Sequence, residues 1–288
     1  MTLAGLLILL GSAFIHVVTH IALKRSRDRT AFVWWMLLFS GVLFAPVLVF
    51  AWQPIAWQGW ALLIASAVFE AGYFYAIAKA YHGADLSIVY PLSRGAGPAL
   101  LLIWSVLLLR EPLTWGGALG VVTIVLGLYV VNLPHLGSWQ APLRALRLAS
   151  SRWALAAGAC ISFYTIIDKV GIGYVEPLLY TYLALWWSVV MLTPFTLREV
   201  GWSGLRAEWR YSRGWTVLAG FTSLSAYALV LFAMAQGTPA SYAGAIREFS
   251  VVLGAAYGVL VLKESSGPMR LLGAGLVAVG IATIGLLG

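Results

Sequence analysis

Two arginines stand where arginine is expensive. Arg94 and Arg247 both fall inside long apolar stretches, and an unpaired charge in hydrocarbon costs about 2.5 to 3.5 kcal/mol or more on insertion scales. Arg94 lies about nine residues into its stretch, hence roughly 13 Å deep at the helical rise. Its neighbours Pro91, Gly95, Gly97 and Pro98 are expected to interrupt and bend the helix, and freed carbonyls at that depth are tolerated only against protein or a water-filled cavity. A planar guanidinium suits two-pronged recognition of a carboxylate or phosphate, so the pair points to a solute with an anionic group. The bland alternative is neutralisation by Glu248, Glu70 or Asp85, with the ion pairs merely holding helices together.

Other residues could join such a site. Glu70, midway along an apolar stretch, can serve as a proton-coupling carboxylate or as a salt-bridge partner of an arginine. His16 and His20 are one helical turn apart and share a face, which suits a proton or solute contact or a plain interhelical hydrogen bond. Two histidines without a third ligand make no metal site, and no cofactor motif is present. Tyr73, Tyr90, Tyr164 and Tyr227 offer hydroxyls and rings to a solute, although most aromatic side chains in such a composition are packing residues. Asp168 and Lys169 fall near the end of a stretch, where snorkelling to the surface accounts for them.

The elements that must position these groups follow from composition. The 288 residues are 61% hydrophobic and 10% charged, more apolar surface than a water-soluble fold can hide. Apolar runs fall at about 2–23, 31–51, 57–79, 85–109, 114–133, 153–172, 177–197, 214–235, 240–262 and 268–287, most of them near the roughly 20 residues a spanning helix needs. Tryptophans such as Trp52, Trp57, Trp115, Trp153 and Trp202 gather at the boundaries, as amphipathic rings do at the headgroup level. The expected fold is all-α and integral to the membrane, with ten transmembrane helices. The first run lacks a basic leader and reads as helix 1, not as a cleaved signal.

A segment at 134–152 carrying Pro134, Gly137, Arg144, Arg147 and Arg152 reads as a surface linker dividing a first repeat, 1–133, from a second, 153–288. Arg94, Glu111, Gly120 and Gly127 match Arg247, Glu264, Gly273 and Gly280 at one constant spacing, which marks an internal duplication. Five helices is an odd number, so the second copy must insert upside down. Charge agrees: the turn after helix 1 carries Lys24, Arg25, Arg27 and Arg29, whereas the turn after helix 2 carries no lysine or arginine. The second half reverses this, with Arg198, Arg206, Arg210 and Arg213 after its second helix. The positive-inside rule then places both termini outside the cytoplasm, in the cell's inner membrane.

The stretch Gly83-Ala-Asp-Leu-Ser-Ile-Val-Tyr-Pro-Leu-Ser-Arg-Gly-Ala-Gly-Pro98, followed by Leu108-Leu-Arg-Glu-Pro-Leu113, resembles the EamA repeat of the drug/metabolite transporter superfamily. Arg247-Glu-Phe-Ser through Val261-Leu-Lys-Glu264 is similar, as is the first helix from Ile15-His16 to Lys24-Arg25-Ser26. The resemblance implies secondary transport of metabolites, amino acids, nucleotide precursors, sugar phosphates or drugs through a cavity lined by both halves. Many relatives carry their basic residues after helix 2, so the direction of transport does not come with the likeness.

The sequence therefore leads to a secondary transporter of a small polar or charged metabolite, working by alternating access, with Glu70 available for proton coupling or for a salt bridge. A flippase for a lipid-linked headgroup, or a multidrug or amino-acid exporter, is the alternative. An enzyme is disfavoured, since no nucleophile elbow, metal spacing or phosphate-cradling loop is present. The basic balance is not that of a nucleic-acid binder, because no basic tract is interleaved with stacking aromatics. The small-residue motifs Gly116-x-x-x-Gly120 and Gly254-x-x-x-Gly258 are expected to pack within a monomer more than between copies.

Overall fold

A computed structural model describes residues 1–81, 86–131, 133, 135–140, 148–250, 252–253 and 268–288. The side chains of His20, Lys24, Ala78, Tyr81, 86–93 and Leu136 lie outside the description. The described chain is helical. In order come α1 (Leu3–Lys24), α2 (Arg29–Leu43), the single turn α3 (Val47–Phe50), α4 (Trp57–Tyr81), α5 (Leu86–Leu107) and α6 (Trp115–Val131). The second half holds α7 (Ala149–Gly171), α8 (Pro177–Glu199), α9 (Gly201–Ala235), α10 (Ala240–Arg247) and α11 (Pro268–Leu287).

Among the described residues six helices are long and apolar enough to cross a membrane, and shorter apolar helices at Arg29–Leu43, Arg94–Leu107 and Trp115–Val131 accompany them. Each falls on a stretch expected from hydropathy. The ninth stretch is described only up to residue 253, so Glu264, Lys263 and the Gly254/Gly258 motif lie outside the described residues, as does Asp85.

Three details depart from the expected spans. The second is broken after Leu43, because Pro46 has no N–H to give and restricts the residue before it. The basic stretch after α8 is not a loop: α9 begins at Gly201, with non-helical backbone at Ser212. Glu208 on that surface part is 1% exposed and accepts the backbone N–H groups of Arg27 and Asp28 at 3.1 and 2.8 Å. It thereby ties two basic connections together. Finally, helix α5 runs on through Arg94 and Pro98 where an interruption was expected.

The two halves pack reciprocally. α1 lies on α9 and α10, while its counterpart α7 lies on α4 and α5. α2 lies on α9 as α8 lies on α4, and α2–α8, α5–α10 and α6–α11 pair with their own counterparts. That exchange is what a two-fold relation between inverted repeats requires. The α6–α11 contact is the most extensive among the described residues, and its glycines let the backbones approach. A Cβ built on Gly120 would stand 2.7 Å from the Gly280 carbonyl oxygen, and one on Gly280 the same from that of Gly120. Gly116 faces Leu287, so this small-residue motif is used inside the chain. Both termini meet on one face, where the Met1 amino group donates to the Gly288 carbonyl at 2.6 Å.

Candidate functional site

Between the halves lies a cavity of about 110 Å³. Helix α1 contributes His16, α4 contributes Glu70 and Tyr73, α5 contributes Arg94, α7 Tyr164, α9 Tyr227, and the last residue of α10 is Arg247. Residues separated by up to 231 positions thus converge because inversion brings the fourth helix of each half to the centre from opposite leaflets. Leu23 and Val33 extend the lining toward the connection between α1 and α2. The side chains of His20 and Tyr90 lie outside the described residues.

The two arginines are not treated alike. Arg94 Nη1 lies 3.2 Å from Glu248 Oε1 and 3.4 Å from Oε2, an ion pair that joins α5 to the end of α10. Glu248 is 1% exposed. It does not face the cavity, and neutralises Arg94 as the bland alternative for that residue expected. Arg247 is 7% exposed, and its Nε is buried with no hydrogen-bond partner among the described residues. Its guanidinium carbon stands 6.0 Å from the ring centroid of Tyr227, within reach of a cation–π attraction.

Glu70 is bound by Ser188 Oγ at 2.6 Å, so its carboxylate reaches α8 and not an arginine. Tyr73, Tyr164 and Tyr227 run edge to face across the cavity wall, with centroids 6.5 and 6.0 Å apart. Ser12 donates to the Ala226 carbonyl at 2.7 Å and Thr19 pairs with Thr222 at 2.8 Å, fastening α1 to α9 along the other wall.

Snorkelling does not describe Asp168 or Lys169. Asp168 is fully buried and accepts hydrogen bonds from Ser66 of α4 and the Tyr227 hydroxyl of α9. Lys169 donates to the carbonyls of Met234 and Thr238 at 2.7 and 2.9 Å and stands 3.8 Å from Glu111. Glu111 in turn accepts the Ala240 N–H through both oxygens at 3.0 and 2.9 Å. A carboxylate at a helix start satisfies an orphan donor and the positive end of the dipole. Glu111 therefore anchors the helix whose other end presents Arg247. No local signal exposes these roles, since Ser66 and Tyr227 are 102 and 59 residues from Asp168.

The model of the EamA-like transporter family matches residues 3–133 and again 150–286. The chain belongs to the EamA-like transporter family. The double match makes this EamA protein a two-repeat, multi-pass membrane protein of a transporter family, as the reciprocal packing requires. No curated protein matches it. A crystal structure of a protein with no stated activity is similar over 100% of this chain and 98% of its own, with a TM-score of 0.73 and 15% sequence identity. At that identity the likeness shows the fold alone. Among the described residues no group of three or more His, Cys, Asp or Glu could hold a metal ion.

Proposed function

We propose that this EamA chain is a secondary transporter that moves a small solute carrying a carboxylate, phosphate or phosphonate group, by alternating access about its two halves. The observation that carries this reading is Arg247: a buried guanidinium lining the central cavity, whose Nε has no partner among the described residues. Leaving a charged donor unsatisfied in a low-dielectric site costs on the order of 1 to 3 kcal/mol or more, which an anion in the cavity would offset. Arg94, already neutralised by Glu248, lines the same cavity from the other half. Glu70 is the carboxylate of the same cavity, and a proton taken up there would leave Arg247 as the uncompensated charge.

A ligand-stabilisation screen of the purified protein tests this. Amino acids, organophosphates, phosphonates and organic cations are added in turn and the unfolding temperature is read, since a solute that binds only the folded state raises it. Solutes with an anionic group should stabilise the wild type. Arg247→Gln should weaken that binding by about 10- to 150-fold, the worth of roughly 1.5 to 3 kcal/mol for hydrogen bonds to a charged group. Stabilisation by cations alone would contradict the reading.

The orientation belongs to the same proposal. Fourteen of the 18 lysines and arginines fall in connections that leave odd-numbered spans, which supports an inner-membrane protein with both termini outside the cytoplasm. A reporter fused after Gly288 should be active only if it matures outside. Activity confined to the cytoplasm would reverse the topology.

A further inference from the structure

We infer that Asp168 is a second proton-binding carboxylate, occluded between the central cavity and the face that carries both termini, and reached from the cavity through the Tyr227 hydroxyl. The inference rests on the transporter reading, and adds to it the place where a proton is held out of contact with solution.

Three observations converge. Asp168 is 0% exposed, and its two oxygens accept from different hydroxyls, Ser66 and Tyr227. It forms no ion pair among the described residues. A carboxylate buried this deep with only neutral donors keeps its charge at considerable cost, whereas the neutral acid fits the same hydroxyl cage. On the cavity side, Tyr227 both lines the cavity and touches Asp168. The next residue in the chain, Lys169, lines a separate hollow of about 360 Å³ together with Glu111, Met1 and Gly288. Asp168 thus touches the cavity wall through Tyr227 and lies one residue along α7 from a second polar space.

Groups face it from every helix around it. Ser66 and Glu70 come from α4, one turn apart on one face; Tyr180 from α8; Tyr227 from α9; Arg247 from α10; Tyr164 from α7 itself; and Arg94 of α5 lines the central cavity that Tyr227 also lines. Ser66, Tyr180 and Tyr227 can each turn from donor to acceptor. The step is balanced simply: the Tyr227 hydroxyl gives its proton to Asp168 as it takes one from a hydronium ion entering the cavity from the acidic solution, so that the carboxylate becomes a carboxylic acid, the phenol is restored and a neutral water is left. While Asp168 is charged it draws on the field of Arg247; once protonated it leaves that field to the solute. Proton and anion then favour each other's binding, and the coupling is reciprocal.

The test needs no solute. Full-length protein in lipid is titrated with acid while the infrared carbonyl stretch of protonated carboxyls is followed. The wild type should gain such a band as the pH falls. Asp168→Asn should lose one component of that band, Asp168→Glu should shift the same component, and Glu70→Gln should keep it. An Asp168→Asn protein with the full wild-type band, or a wild type with no titrating band, would overturn the inference. If Asp168→Asn fails to fold, an unshifted band in Asp168→Glu overturns it instead. Because no solute is present, the outcome is independent of the anion-site screen, and either reading can fail while the other stands.

Discussion

Arg94→Ala should lower the unfolding stability of the protein by about 3 to 5 kcal/mol, and Arg94→Ala combined with Glu248→Ala should restore most of that loss. The reason is asymmetric burial. Glu248 is 1% exposed and the Arg94 side chain 11%, so removing the arginine strands a carboxylate in a medium that solvates it poorly. Removing both partners leaves only a cavity and lost packing. Arg94→Lys should fall between, because the ammonium keeps the charge but not the two-oxygen reach seen at 3.2 and 3.4 Å. Thermal unfolding of the wild type, Arg94→Ala, Glu248→Ala and the double variant forms a double-mutant cycle. Equal instability in the single and the double variant would show that the ion pair does not couple α5 to α10.

A comparable loss is expected from a single methyl-bearing side chain between α6 and α11. In Gly280→Val the first carbon would lie 2.6 Å from Ile124 Cγ1 and 2.7 Å from the Gly120 carbonyl oxygen. Backbone cannot move aside as a flexible side chain does, so the two helices must part along a seam that also includes Gly127 against Gly273. Overpacking of this kind costs roughly 1 to 3 kcal/mol, and more where backbone is the obstacle. Gly275→Val, on the same helix with nothing within 4 Å, is the control and should unfold near the wild-type temperature. A Gly280→Val protein as stable as that control would mean the seam is looser than described.

The spans were legible because hydrocarbon imposes one rule on every helix, and the inversion was legible because it leaves its mark in loop charge. Arg94 and Arg247 could be placed at one centre from their matching positions in the two repeats. Their unequal treatment could not, since Glu248 pairs across the halves with the arginine 154 residues away and not with its neighbour. Asp168 falls near the end of its apolar stretch, and its depth is created by α4 and α9 closing over it. The break at Pro46 and the helical course of 201–211 turn on local competition, where a proline ends one helix and a buried Glu208 ties down the start of another. Glu111 stands out in sequence as a mark of the duplication and of family likeness; its contact with the Ala240 N–H supplies a physical role.

The central claim is that Arg247 receives the anionic group of a transported solute. The most direct measurement is flux in liposomes holding equal amounts of wild type or Arg247→Gln, using the labelled solute that stabilises the wild type most. Saturable flux in the wild type and flux at least about tenfold slower in Arg247→Gln are predicted, the latter being the kinetic counterpart of roughly 1.4 kcal/mol. Equal saturable flux in the two proteins would contradict it.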